Sequence, residues 1–237
     1  MSVLQQNEKK ILGSLNHYSF FGAFAQQNPK SYLSINRLLN ARNFDTIIEL
    51  GTHDGGLSAL LAFYCFLSKN KSYCENSSEP SLYKNSTHHK SPKQFYTFDI
   101  VKRDLSMINL IGGLGGNFLQ LDTLHNKANI SSIGELIKRG GSTLLICDGG
   151  DKKAELDLYG GFLKTGDIVM AHDWAKDKEA HQRNKDSGAW SGWEIRWENG
   201  VAEDEQFGIK DICEKHKIMQ VFSEEFDDCA WFCGIKI

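Results

Sequence analysis

Short apolar runs alternate with longer amphipathic stretches along most of the chain. An apolar run at 44–50 breaks into a turn with three glycines and resumes with Leu57, Leu60 and Leu61 at helical spacing. This pattern predicts a buried strand, a tight turn and a helix. Similar strand patterns, separated by helical ones, follow at 94–99, 117–122, 142–148 and 167–173. The alternation predicts a doubly wound α/β fold around a mostly parallel sheet.

Two further strand patterns close the chain, at 218–222 and 229–237. They lie near enough in sequence to pair antiparallel across a turn at 223–228. We therefore expect these two strands to form an antiparallel pair, in a single domain that spans residues 1–237.

Three segments lie outside this alternation. Residues 1–42 look helical, and their aromatic stretch at 18–24 is either a lid over a ligand or part of a helix docked on the core. Residues 68–93 and 174–205 are predicted to be loop or lid insertions, because they are longer than usual connections. The tryptophans of the second insertion either line an acceptor pocket or pack the lid onto the sheet: Trp190, Trp193 and Trp197.

Composition narrows the class of protein. The 237 residues are 41% hydrophobic and 24% charged, as in ordinary soluble domains, and a net charge of −3 gives no general reason to expect nucleic-acid binding. No apolar run is long enough to span a bilayer, and the polar residues 1–10 lack the core of a signal peptide. The six cysteines include no C-x-x-C pair and mostly sit in apolar patterns, so we expect reduced thiols and a cytoplasmic protein.

Five predicted strands end in an acid: Glu49, Asp99, Asp122, Asp148 and Asp173. The carboxyl ends of parallel strands share one edge of the sheet, where α/β proteins bind ligands. Any one of these acids can serve as a helix cap. Five like charges at one edge, however, would raise carboxylate pKa values in the absence of a cationic ligand. The pattern therefore favours a ligand that carries positive charge.

The turn after the first strand reads E-x-G-x-x-x-G from Glu49 to Gly55, which differs from the dinucleotide-binding G-x-G-x-x-G. Glycines in such a turn can also serve helix–strand packing alone. The stretch 48–58 resembles motif I of class I S-adenosylmethionine (SAM)-dependent methyltransferases, especially the cephalosporin hydroxylase-like and macrolide sugar O-methyltransferase group. The resemblance implies a Rossmann-like, mostly parallel seven-stranded sheet with an antiparallel C-terminal strand. It also implies that Asp99 lies at the ribose hydroxyls and Asp122 near adenine. It implies the following SAM-binding residues: Glu49, Gly51, Thr52, His53, Gly55, Asp99, Asp122 and Asp148.

A second stretch, 145–174, is similar to the same family's pattern of an acid, a helix, L-K-P-G, a strand and an acid pair, with Thr165 in place of proline. In metal-dependent members the first acid and the later pair hold a divalent cation, which implies Asp148, His172 and Asp173 as ligands here. His172 departs from the usual carboxylate. Oxygen ligands suit Mg²⁺, whereas an imidazole shifts the preference toward Mn, Fe or Zn. His172 is alternatively a general base, because its ordinary pKa lies near neutrality.

The resemblance implies a SAM-dependent O-methyltransferase that acts on a hydroxyl of a small molecule, such as a sugar or natural product, with or without metal assistance. Asp148 and His172 are the predicted catalytic residues. Lys152 or Lys153 either steadies a developing oxyanion or is a solvated start of a helix. A hydroxylase-like enzyme and a non-catalytic SAM- or nucleotide-binding protein are the alternatives. We expect no nucleic-acid or membrane partner, and self-association into a homo-oligomer stays open.

Overall fold

A computed structural model of the chain describes residues 18–21, 23–25, 27–69, 94–186, 194–198 and 207–237. Most of the predicted insertion at 68–93 lies outside these ranges. So do Trp190 and Trp193 of the insertion at 174–205. Trp197 is described, and it packs partly buried against the core.

The described strands form a hairpin and a large sheet. Their bounds are β1 (Tyr18–Phe20), β2 (Ala23–Ala25), β3 (Thr46–Leu50), β4 (Gln94–Asp99), β5 (Asn117–Gln120), β6 (Thr143–Cys147), β7 (Ile168–His172), β8 (Ile218–Gln220) and β9 (Trp231–Lys236). The sheet has the order β5-β4-β3-β6-β7-β9-β8. Strands β3 to β7 pair in parallel, and β9 pairs antiparallel with both β7 and β8. This confirms the predicted Rossmann-like, mostly parallel seven-stranded sheet with an antiparallel C-terminal strand.

Helices cover both faces of this sheet. Their bounds are α1 (Pro29–Ala41), α2 (Gly56–Lys69), α3 (Leu105–Gly113), α4 (Lys127–Lys138), α5 (Lys152–Gly160), α6 (Lys178–Asp186), α7 (Lys210–Lys215) and α8 (Ser223–Phe226). Every residue of β3, β6 and β7 is buried, and the core forms one apolar cluster on each face of the sheet. Burial on both faces explains why these strands read as continuous apolar runs.

The N-terminal region differs from the helical prediction. Residues 18–20 and 23–25 form the antiparallel hairpin β1–β2, in which Phe21 turns the chain with a φ of 52°. Helix α1 begins only at Pro29, and the Asn28 side chain caps it by accepting a hydrogen bond from the backbone N–H of Lys30. Proline fits the first turn of a helix but cannot continue one that comes from before it. The prediction of helix is therefore right for 29–41 and wrong for 18–20 and 23–25.

Two other connections contain helices. The insertion at 174–205 includes α6, whose only apolar residue is Ala180. The hydrophobic pattern missed this helix because a helix with so little apolar surface leaves no periodic signal. The predicted turn at 223–228 is α8 followed by a 3₁₀ turn. Among the described helices, none is long and apolar enough to cross a membrane.

Candidate ligand cavity at the carboxyl edge of the sheet

A cavity of about 480 Å³ lies at the carboxyl ends of the parallel strands. Its volume is within the range of sites for small molecules and cofactors. Its lining includes every residue singled out from the sequence as cofactor-binding, metal-binding or catalytic: Glu49, Gly51, Thr52, His53, Gly55, Asp99, Asp122, Asp148, His172 and Asp173. These residues come from five different strand ends, which the parallel sheet brings to one edge.

Glu49 is almost fully buried at the end of β3. Its carboxyl group accepts hydrogen bonds from the hydroxyls of Ser58 and Thr97, the latter at 2.6 Å. Burial raises the pKa of Glu49 to about 8, although these hydrogen bonds lower it. Glu49 is thus mainly neutral at pH 7. Thr52 joins the same group, since its hydroxyl lies 2.6 Å from that of Thr97.

The two motif glycines have left-handed backbone conformations, with φ of +91° at Gly51 and +79° at Gly55. A Cβ atom on Gly51 would lie 2.2 Å from the carbonyl oxygen of Asp148, and one on Gly55 would lie 2.4 Å from Cγ of Met107. Neighbouring protein atoms therefore already require glycine at both positions. This agrees with the packing interpretation of the motif, and both glycines also line the cavity.

Asp99 at the end of β4 is held from several sides. One oxygen accepts from the backbone N–H of His53 at 3.0 Å and from Arg103, at 2.8 Å through Nε and 2.7 Å through Nη2. The other accepts from the backbone N–H of Val101 at 2.8 Å. The sequence analysis missed Arg103. A basic residue four positions after a strand-end acid was the available signal.

Asp122 occupies the loop after β5 and is partly exposed. One carboxylate oxygen accepts from the backbone N–H groups of Leu124 at 3.0 Å and His125 at 2.9 Å. These bonds, led by that from His125, lower the pKa of Asp122. Asp122 therefore orders its own loop while it faces the cavity.

Asp148 joins two distant parts of the chain. One oxygen accepts from Nε2 of Gln27 at 2.7 Å, and the other lies 3.0 Å from Nδ1 of His172. Gln27 is buried and stands 121 positions before Asp148, so no local pattern indicates this contact. The His172 imidazole packs at 4.6 Å from the ring of Trp231, with its side chain only 3% exposed.

Lys152 is buried rather than solvated. Its Nζ lies 2.7 Å from Asp173 and 3.1 Å from Glu194, and only 8% of its side chain is exposed. Burial disfavours its charged form, yet these carboxylates raise the pKa of Lys152 above its ordinary value. Asp173 has a left-handed backbone with φ of 57°, an uncommon conformation for a residue with a side chain.

Glu155 is a second buried carboxyl group in the cavity, and the sequence analysis missed it. It accepts from the backbone N–H of Gly149 at 3.2 Å. Burial raises the pKa of Glu155 well above its ordinary value. Its place in the first turn of α5, after the capping residue Asp151, made it look like an ordinary helix-start acid.

The cavity lining is acidic. Seven carboxyl groups line it, from Glu49, Asp54, Asp99, Asp122, Asp148, Glu155 and Asp173. The lining residues with a permanent positive charge are Arg103 and Lys152, each paired with one of these acids, and three histidines also line the cavity: His53, His125 and His172. Even with Glu49 and Glu155 neutral, the ionised acids outnumber the cations. The electrostatics therefore suit a ligand with positive charge.

The predicted metal ligands come together without forming a metal site. His172 Nδ1 lies 3.0 Å from Asp148 and 3.5 Å from Asp173. The other oxygens of these two acids contact Gln27 and Lys152. Within the described ranges, no group of three or more His, Cys, Asp or Glu side chains is arranged to hold a metal ion. The donor set as it stands does not fit a divalent cation.

No protein-family model and no curated protein matches the chain. Among solved structures, CmcI with Mg and SAM is similar, with a TM-score of 0.44 and 17% identity over 66% of this chain and 57% of that one. An O-methyltransferase family protein from Burkholderia thailandensis has a TM-score of 0.44 and 10% identity over 98% of this chain and 56% of that one.

The N-methyltransferase NodS from Bradyrhizobium japonicum WM9, solved with S-adenosyl-L-homocysteine, has a TM-score of 0.40 and 11% identity over 88% of both chains. The present chain spans a little over half the length of CmcI and of the Burkholderia protein. At such TM-scores and identities, these likenesses carry no argument about function.

Proposed function

We propose that the chain is a SAM-dependent methyltransferase that transfers a methyl group to a hydroxyl of a small molecule, such as a sugar or natural product. The observation that carries the proposal is the acidic cavity at the carboxyl edge of the sheet. It collects the residues of the SAM-binding resemblance from four successive strand ends, beside His172 and Asp173 at the end of a fifth. SAM bears a sulfonium and an ammonium, which suit this lining.

The cavity offers polar and apolar contacts for the parts of SAM. The Asp99 oxygen that accepts from Val101 N–H can also accept from a ribose hydroxyl, because a carboxylate has about four acceptor directions. Ile100 and Val101 are more than half exposed and line the cavity beside Leu124, so they supply apolar surface for a purine. Asp122 lies in the same part of the lining, as the resemblance implies for the adenine end.

Proton removal from the acceptor falls to His172. Asp148 lies at hydrogen-bond distance from Nδ1 of His172 and favours the tautomer with a proton there, so that Nε2 is the nitrogen able to take a proton. When bound, SAM supplies a methyl group on a sulfonium, which leaves as a neutral thioether when the oxygen attacks the methyl carbon. The protein therefore needs a base and precise positioning, but no acid for the leaving group.

Calorimetry with SAM on the full chain tests the cofactor proposal. We expect binding of one SAM per chain, weakened at least about tenfold in Asp99→Asn, since ionised hydrogen bonds contribute roughly 1.5–3 kcal/mol. Glu135→Gln, an exposed change on α4, is the control and should leave the affinity unchanged. Absence of binding by both SAM and its demethylated product at millimolar concentration would disprove the proposal.

Formation of the demethylated product in the presence of hydroxylated acceptors tests the reaction. Asp148→Asn and His172→Gln are expected to lower turnover by roughly 10²-fold or more, as for loss of a general base. Their SAM affinity should change much less. SAM binding without turnover on any acceptor would instead favour a non-catalytic binding protein.

A further inference from the structure

Lys152 and the predicted metal ligands compete for the same carboxylates. We propose that the cation of this site is the Lys152 ammonium, which stands where a divalent metal would bind and makes the site metal-independent. The inference deepens the proposed function and rests on it for the chemistry of the acceptor. Its claim about cation binding rests only on the contacts of Lys152, Asp173 and Glu194.

The position of Lys152 is built by the fold. It is the first residue of α5, directly after the capping residue Asp151, and its side chain is 8% exposed. An ammonium group is costly to bury unless carboxylates surround it. Asp173 at 2.7 Å and Glu194 at 3.1 Å supply that compensation. Glu194 is itself fastened to the same place, because its backbone N–H donates to the carbonyl of Asp173 at 2.9 Å.

A divalent ion would have to displace this arrangement. One Asp173 oxygen contacts Lys152 Nζ, and one Asp148 oxygen accepts from Gln27. A metal between these acids would also lie close to a buried ammonium, and like charges repel strongly where water is excluded. His172 in place of a carboxylate removes one further negative charge that would offset a divalent ion.

With an ammonium in place of a metal ion, two side chains divide the chemistry that the metal ion would supply. A divalent ion can lower the pKa of a bound hydroxyl and neutralise the oxyanion at once. A single ammonium supplies a fixed positive charge and hydrogen-bond donors for developing oxyanion charge, while proton removal needs a base. His172 beside Asp148 is placed to be that base.

Mn²⁺ binding followed by electron paramagnetic resonance tests the inference on the full chain without any acceptor. Wild type, Lys152→Arg and Lys153→Ala are expected to bind no Mn²⁺ at this site up to millimolar concentration. Lys152→Ala leaves Asp173 and Glu194 without their cation. We expect it to gain one Mn²⁺ per chain, with an affinity at least about tenfold above wild type. A second change, Asp173→Asn, should abolish the gained site.

Each result of these Mn²⁺ titrations either supports or overturns the inference. Wild type that binds one Mn²⁺, and loses it in Asp173→Asn, overturns the inference. Folded Lys152→Ala that binds no more Mn²⁺ than wild type also overturns it, because the lysine then fills no cation site. If Lys152→Ala does not fold, the Mn²⁺ titration of the wild type still tests the inference. The second expected result is then wild-type turnover that a chelator does not reduce. Loss of SAM binding in a parallel titration would disprove the proposed function and leave the Mn²⁺ comparison intact.

Discussion

At the scale of single residues, the same carboxyl group has a different character at each strand end. Glu49 is buried and mainly neutral at pH 7, Asp99 is ion-paired with Arg103, and Asp122 orders its own loop. The sequence shows five similar acids. Their surroundings decide which of them carries charge, because burial and partners set each pKa.

Glu49 predicts a pH-dependent stability. Its pKa is about 8 in the fold against 4.5 for the ordinary group, so the folded state holds the proton more tightly. This contribution is fully present below pH 4.5 and is lost as the pH rises through about 8. Wild type should therefore lose up to about 1.4 kcal/mol of unfolding free energy per pH unit relative to Glu49→Gln between about pH 5 and 8.

Urea denaturation across this pH range measures the difference. Glu135→Gln, which changes an exposed glutamate, should follow the wild-type profile. Parallel profiles for wild type and Glu49→Gln would contradict a raised pKa at Glu49.

The surroundings of Gly51 predict that one added methyl group at this position strongly destabilises the fold. Its φ is +91°, and a Cβ atom would lie 2.2 Å from the carbonyl oxygen of Asp148. Gly51→Ala should therefore lower the free energy of unfolding by roughly 2–5 kcal/mol, from backbone strain plus overpacking. Gly112→Ala is the matched control. It meets nothing within 4 Å inside helix α3 and should stabilise by up to about 1 kcal/mol. Equal stabilities of the two variants in thermal denaturation would refute the packing explanation.

At the scale of elements, the hairpin β1–β2 lies outside the seven-stranded sheet and contributes to the lining of the cavity. Phe21 packs edge-on against Phe63 of α2, with ring centroids 5.2 Å apart. Phe24 lines the cavity while 54% of it is exposed. Gln27, just after the hairpin, donates to Asp148. The hairpin therefore borders the cavity, and its interpretation as a lid stays a prediction.

Removal of the Gln27 side-chain amide should loosen the attachment of the hairpin β1–β2 to the edge of the sheet. In Gln27→Ala the hydrogen bond of 2.7 Å to Asp148 is lost, and the hairpin keeps mainly its aromatic contact with α2. We expect several-fold faster hydrogen exchange for the amides of 18–25, with β6 unchanged. Lys30→Ala, at an exposed position nearby, is the control. Unchanged exchange in the hairpin would show that Gln27 does not hold it.

At the scale of the whole molecule, the two-sided burial of the sheet places all the described cysteines in the core. Cys147, Cys213, Cys229 and Cys233 are buried. Burial raises their pKa values, to about 12 for Cys213 and about 11 for Cys229. The prediction of buried thiols is confirmed for the described cysteines, and Cys74 lies outside the described residues. That the thiols are reduced stays a prediction.

These thiols should resist alkylation in the native protein. Only the thiolate reacts, and these groups are both protonated and shielded from solvent. Peptide-resolved labelling with iodoacetamide at pH 8 is expected to leave these four cysteines unmodified, and full labelling is expected in guanidinium chloride. Fast native labelling of Cys147 would contradict its burial at the end of β6.

The sequence alone determined the succession of strands and helices along the chain, the mostly parallel sheet and the edge at which the acids meet. It could do so because strands buried on both faces need continuous apolar runs, and parallel strands carry their carboxyl ends to one side. Helix α6 and the hairpin β1–β2 were not predicted from these patterns. The first has almost no apolar face, and the second is too short and aromatic to show a strand period.

Only the tertiary structure decided the partners of the strand-end acids. Arg103 pairs with Asp99, Gln27 donates to Asp148 from 121 positions earlier in the chain, and Lys152 turns inward to Asp173. The partners of Gln27 and Lys152 are distant in sequence, so their spacing carries no signal, whereas Arg103 stands only four positions after Asp99. Charge, pKa and fitness for a metal follow from these partners and from burial. The strand ends therefore indicate where ligand chemistry occurs, and the packing around them decides what kind it is.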